Sequence, residues 1–373
     1  MTVRPGGALD AVAVTDTLVT AGFGPFAGVP CSYLGPLISV LQDKYPESYL
    51  AAANEGEAVA VSAGAQLTGR RPVVILQNSG LGNAVNPLTS LCHTLRLPVL
   101  LLITWRGEPG RPDEPQHRLM GNITLDLLTA MEIRHESFPR HLVDLGSALA
   151  QAAAHMDATG LPYALVVPKG ALAPYSRPPQ PAPSARMFRE EAIAEGVRAA
   201  GGDALVVATT GKTARELERD WDRPGNLYVV GSMGCASSIG LGVAINAPGR
   251  SVVVLDGDGA ALMRLEAIAT IGTRAPSNLL HLVLDNEAYE STGAQSTISA
   301  GVDFCAVAAA CGYRTTADVA SGESLRAAVA RALPTDGPHF VRVRIRAGSD
   351  PALGRPGLAP PDAAARFRTA VSS

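Results

Sequence analysis

The sequence predicts an α/β protein made of two parallel-sheet domains. Three observations carry that expectation. Strand-sized apolar runs alternate with helix-period segments along the chain, the pattern of parallel sheets with crossover helices. A stretch with six prolines, 168–185, divides the chain into halves of similar length and pattern; it cannot form a helix or a central strand, and it reads as a linker. In the second half, the run Ser251-Val252-Val253-Val254-Leu255 ends in Gly257-Asp258-Gly259, a strand feeding a glycine turn.

The elements follow in order. In the first half, strands are expected at 49–52, 73–77, 98–104 and 163–167, with helices at 55–67, 87–95 and 141–156. The domain expected there spans 1–170, and the linker 171–185. The second domain, 186–373, repeats the alternation. Its strands are expected at 204–208, 226–230, 251–255, 279–285 and 340–345, and its helices at 192–199, 212–220, 236–245 and 260–271. The last twenty-odd residues, rich in Pro, Ala and Gly, read as a loose tail or a capping segment.

Composition narrows the function. The 373 residues suffice for two domains, and 47% apolar with 17% charged residues describes a chain with a large core. A net charge of −3 gives no reason to expect nucleic acid or a membrane surface as partner. No apolar run reaches membrane-spanning length, and the N-terminus lacks a signal-peptide pattern. Cys31, Cys92, Cys235, Cys305 and Cys311 show no CxxC spacing, which fits reduced thiols and a cytoplasmic location. Cys31 beside its Gly-Val-Pro turn reads as a small buried side chain. Gly80-Leu81-Gly82 lacks the third glycine of a dinucleotide fingerprint. Gly211-Lys212-Thr213 lacks the first glycine of a P-loop, since Val206 stands there.

Two successive strands in the second half end in oxygen-bearing side chains, Asp258 and Asn286. Ligands bind at such carboxyl ends, and hard oxygen donors suit Mg²⁺ bridged to phosphates. Glycines 257 and 259 let the backbone approach a phosphate, with Ala260 opening the helix behind it. Gly-Asp-Gly followed by Asn 28 positions on resembles the thiamine diphosphate (ThDP) signature, although Asp285-Asn286 stands where Asn-Asn is usual. ThDP needs a carboxylate beside its aminopyrimidine ring N1′. Asn54-Glu55-Gly56-Glu57 at a strand-to-helix junction offers two, and on the residues alone both also suit a helix N-terminus.

Gly28-Val29-Pro30-Cys31-Ser32, Asn54-Glu55-Gly56-Glu57-Ala58, Gln77-Asn78-Ser79-Gly80-Leu81-Gly82-Asn83, Thr104-Trp105-Arg106-Gly107, Asp113-Glu114-Pro115-Gln116-His117 and Ser291-Thr292-Gly293-Ala294-Gln295 occur in that order. With the Gly-Asp-Gly segment, the chain resembles the phosphonopyruvate decarboxylases over roughly residues 15–345. The related sulfopyruvate decarboxylases share much of the pattern, often as two subunits. The resemblance implies a pyrimidine-binding first domain and a diphosphate-binding second domain with no middle domain. It also implies ThDP and Mg²⁺ as cofactors. Glu55 is then the N1′ partner, and Asp258, Asn286 and the Ala288 carbonyl are the metal ligands. Thr210, Gly211, Ser232, Gly257, Gly259 and Ala260 line the cofactor, and Met233 props it; the plainer alternative for Met233 is an ordinary core residue. Ser32, Asn78, Arg106, His117, Ser291 and Thr292 are candidates for a phosphonate-bearing 2-oxo acid, with His117, titrating near neutral pH, as a proton relay. The resemblance further implies a homodimer or higher homo-oligomer with active sites at subunit interfaces.

Overall fold

The computed structural model describes residues 7–175 and 186–372, and the chain divides into two compact units, Met1–Pro179 and Gln180–Ser373. Most of the expected linker, 176–185, lies outside the described residues. Its first residues do not behave as a linker: Leu9 bonds across to Ala171 and Ala173, and Leu172 is buried in the first core.

The first unit holds strands β1 (Phe23–Gly28), β2 (Tyr49–Ala51), β3 (Arg71–Gln77), β4 (Leu100–Thr104), β5 (Arg134–Ser137) and β6 (Tyr163–Val167). They form one parallel sheet in the order β2-β1-β3-β4-β6-β5. Its central strands are apolar on both faces because helices cover both. Val73 and Ile75 enter one core cluster, while Val74 and Leu76 enter the other, as the two-residue period of a strand requires.

The second unit holds β7 (Leu205–Ala208), β8 (Asn226–Tyr228), β9 (Val252–Gly257) and β10 (Leu279–Asp285). A two-strand hairpin follows, β11 (Ala288–Tyr289) and β12 (Gln295–Ser296), then β13 (Thr315–Val319) and β14 (His339–Arg344). Its parallel sheet runs β13-β14-β10-β9-β7-β8. Read from β8, that is the same order as the first sheet, with the hairpin inserted after the fourth strand. In both sheets the second strand lies to one side of the first and the third to the other. This reversal opens a crevice at the carboxyl ends of the first and third strands, where ligands bind in open α/β sheets.

Three of the segments read from the sequence take another form. The helix expected over 260–271 is two helices, Asp258–Met263 and Glu266–Arg274, broken at Arg264. The stretch expected as a helix over 87–95 carries a π-helical turn, Pro87–His93. The C-terminal segment ends in a helix, Pro360–Ser372, that buries Ala363 and Phe367. Among the described residues no helix is long and apolar enough to cross a membrane.

Candidate active site

In the first unit, β2 delivers Glu55. Asn54 caps the helix Glu55–Leu67 by accepting from Gly56 N–H at 2.8 Å. Glu57 faces solvent and accepts from Ala53 N–H at 2.9 Å, an ordinary helix-start role. Glu55 instead turns inward to 5% exposure, where its Oε2 accepts from Asn83 Nδ2 at 2.7 Å. Its carboxylate lies on the backbone of Gly80, where any Cβ would collide with it. Neither Gly80 nor Asn83 is assigned to the site by the sequence, although both sit in the quoted 77–83 motif.

The loops after β1, β3 and β4 carry the other first-unit candidates. Ser32 is exposed in the turn after β1, while Cys31 beside it is buried, and burial pushes its thiol up to about 11. Asn78 corrects the sequence reading. Its two amide hydrogens go to Arg106 O (2.8 Å) and Thr124 Oγ1 (2.9 Å), and its Oδ1 accepts from Arg106 N–H at 3.1 Å. Wholly buried, it fixes the loop after β4 and offers no free donor to a substrate. Arg106 stacks over Tyr33 and forks onto Asp113 at 2.8 and 2.5 Å, so much of its charge is already balanced. Burial opposes ionisation of Asp113, but that fork outweighs it and holds the carboxyl down at about 2.

His117 is 8% exposed, and Gly107 lies so close to its carbonyl that a side chain there would collide. Burial first, then the Arg106 charge, pushes the imidazole down to about 4. It is therefore neutral at pH 7, which corrects the expectation of a group titrating near neutrality. Asp113, Glu114 and His117 come within metal-ligating range of one another, but the Arg106 guanidinium already occupies the acidic pair at 2.5 and 3.6 Å.

In the second unit, adjacent β9 and β10 are in register with Gly257 opposite Leu284. The next residues, Asp258 and Asp285, are therefore neighbours about 5 Å apart across the sheet, with Asn286 one step beyond. Asp258 is 3% exposed and accepts from Thr297 Oγ1 at 2.6 Å. Burial first, then the Asp285 charge, pushes its carboxyl up to about 7. Asp285 is itself paired with Arg342 at 2.7 and 2.5 Å and accepts from Ser299 Oγ. Asn286 donates from Nδ2 to Glu290 at 3.0 Å, and its Oδ1 accepts from Ala288 N–H at 3.1 Å. Thr297 and Glu290 carry no signal in the sequence, and Asp285 stands out there only as the residue in place of the usual first Asn.

The glycines of the second unit divide by role. A Cβ at Gly259 would strike the Tyr289 ring, so that glycine answers to packing; at Gly257 it would meet nothing within 4 Å. Gly211 after β7 has φ +95° and starts the helix Lys212–Trp221, and Thr210 Oγ1 accepts from Gly231 N–H at 3.1 Å. After β8, Ser232 holds φ +44°, which costs a non-glycine residue of order 1 kcal/mol and often marks a ligand site. Met233 is half-buried in the same turn. Ala260 is buried in the first turn after Asp258. Ser291 is exposed in the turn between β11 and β12, and Thr292 spends its hydroxyl on Tyr289 O and Gln295 Oε1.

The C-terminal TPP binding domain of thiamine pyrophosphate enzymes matches residues 210–343. The chain is 46% identical to a phosphonopyruvate decarboxylase of Streptomyces viridochromogenes, over 98% of this chain and 95% of that relative. The chain belongs to the phosphonopyruvate decarboxylase family. Its likeness to the Streptomyces hygroscopicus phosphonopyruvate decarboxylase is 45% over 94% and 91% of the two chains. The sulfopyruvate decarboxylase of Methanosarcina acetivorans stands further off, at 29% over 95% and 96%. Thiamine diphosphate with a divalent metal is the cofactor set of this family. The residues present fit it: the Asp258 carboxyl is buried where its charge is opposed, Asn286 follows the adjacent strand β10, and open space lies over Gly257.

Proposed function

We propose that this chain is a ThDP- and Mg²⁺-dependent decarboxylase that converts 3-phosphonopyruvate to phosphonoacetaldehyde and CO₂. The observation that carries the reading is 46% identity to a phosphonopyruvate decarboxylase across almost the whole of both chains. The buried carboxyls of Glu55 and Asp258, with the partly buried Asn286, support it.

Bound ThDP supplies the carbon nucleophile and electron sink that loss of CO₂ from a 2-oxo acid requires. The protein's share is positioning and proton handling. Asp258, Asn286 and the Ala288 carbonyl would hold the metal against the diphosphate, with Thr210, Gly211, Ser232, Gly257, Gly259 and Ala260 around it and Met233 beneath the cofactor's bend. Glu55, dry and aimed by Asn83 over Gly80, would hold the proton at the pyrimidine N1′. Ser32, Arg106 and Ser291 are assigned to the anionic substrate, and Thr292 would reach it by exchanging its bonds to Tyr289 O and Gln295 Oε1. Arg106 meets it as a guanidinium already aimed by Asp113 and stacked on Tyr33. His117, neutral at pH 7, would pass a proton through its ring N–H and regain it from water, without a standing charge. The working form is a homodimer or higher homo-oligomer, in which the first unit of one copy and the second unit of another complete each site.

Aldehyde formation from phosphonopyruvate with ThDP and Mg²⁺, compared with sulfopyruvate, tests the activity. Light scattering of the purified protein at working concentration tests the assembly, and a monomer under turnover conditions would remove the shared-site reading.

A further inference from the structure

The Glu290 carboxylate gathers four donors from four separate segments of the second unit. Arg189 Nη1 donates at 2.8 Å, Lys212 Nζ at 3.0 Å, Asn286 Nδ2 at 3.0 Å and Gly348 N–H at 3.1 Å. Its side chain is 9% exposed. The donors are themselves restrained. Arg189 forks onto buried Glu216 at 3.0 Å through both Nε and Nη2, and Lys212 also donates to Ser349 Oγ at 2.7 Å. Lys212 directly follows Gly211, where a free cation would face a diphosphate, yet its charge is spent on Glu290.

An asparagine side chain has two ends of nearly equal shape, and the neighbours decide which faces where. A carboxylate only accepts, so it takes the NH₂ end and turns the oxygen away. We propose that Glu290 is a positioning residue that orients the Asn286 amide with its oxygen toward the metal, and that Arg189 and Lys212 hold Glu290 in place for it. The inference rests on the reading of Asn286 as a metal ligand. It explains why one buried carboxylate ties the loops after β7, β10 and β14 together. Outer partners of this kind typically govern metal affinity by roughly 10- to 100-fold when removed.

The test uses the full chain with saturating ThDP and follows free Mn²⁺ by electron paramagnetic resonance. Glu290→Gln keeps the size but presents a donor as well as an acceptor, so only the Ala288 N–H, which donates to Asn286 Oδ1 at 3.1 Å, still favours one orientation of the amide. The Mn²⁺ dissociation constant should rise by roughly 10- to 100-fold. At saturating Mg²⁺ most of kcat should return and the KM for the 2-oxo acid should stay near that of the parent, a split that a general loss of structure would not give. Lys212→Met leaves Arg189 and Asn286 on Glu290, and it should raise the constant in the same direction by less. Unchanged Mn²⁺ affinity in Glu290→Gln, with Asn286→Ala losing it, overturns the inference and leaves the ligand reading intact. Unchanged affinity in Asn286→Ala removes the ligand reading itself. If Glu290→Gln does not fold, unchanged affinity in folded Lys212→Met overturns the proposal.

Discussion

Glu55 and Glu57 stand two residues apart on one helix start and meet opposite surroundings. Burial against Gly80 and a bond from Asn83 give Glu55 a dry, fixed carboxylate; Glu57 caps the helix in water. Glu55→Gln should therefore retain ThDP but slow C2-proton exchange by orders of magnitude, while Glu57→Gln should leave the exchange near the parent's rate. Proton–deuterium exchange followed by NMR separates them, and the reverse pattern would transfer the role to Glu57. The choice was legible in the sequence only through the family motif, because two acidic residues in a first turn look alike until one is buried.

His117 yields a second residue-scale expectation. Its imidazole is held down at about 4 against an ordinary 6.5, so between those values the unfolded chain binds a proton that the folded chain refuses. Stability should then fall as pH drops from about 6.5 to about 4, by up to about 3 kcal/mol, and level off below. Urea midpoints over that range for the parent and for His117→Gln, which should lose this part of the slope, check it. The place of His117 after Asp113 was legible in the sequence, but its charge state comes from burial and from Arg106.

At the scale of elements, the apolar central strands were legible, and so were the edge strands β2 and β8, while β1, β5 and β13 were not. Runs such as β3, β4, β9 and β10 are apolar on both faces and announce themselves. β5 and β13 are sheet-edge strands with mostly polar, partly exposed residues, which carry no apolar signal. β1 contains two glycines and a proline, yet it sits centrally because Gly28 lets its backbone close on Ile75. The C-terminal helix Pro360–Ser372 escaped notice in a Pro- and Gly-rich tail. It is held by Phe367, by Arg366 forking onto Asp222, and by Arg250 donating to Ala370 O at 3.0 Å. Phe367→Ala should cost about 3 kcal/mol, the usual size for a buried aromatic truncated to alanine. A urea midpoint unchanged from the parent would mean the helix does not dock as described.

At the scale of the whole molecule, the repeated strand order places every candidate in an equivalent loop. Ser32 and Gly211 follow the first strands, Glu55 and Ser232 the second, Asn78 and Asp258 the third, Arg106 and Asn286 the fourth. The sequence conveyed two similar halves but not this correspondence, since strand order depends on long-range pairing. The assignment of substrate is the central claim. A phosphonate carries up to two negative charges and a sulfonate one, at similar shape, so selection between them rests on charge pairing in a desolvated site. Pyruvate would leave those donors unpaired. The most direct measurement is kcat/KM for phosphonopyruvate, sulfopyruvate and pyruvate on protein saturated with ThDP and Mg²⁺. Phosphonopyruvate should rank first and pyruvate far last, and faster turnover of sulfopyruvate than of phosphonopyruvate would contradict the substrate assignment.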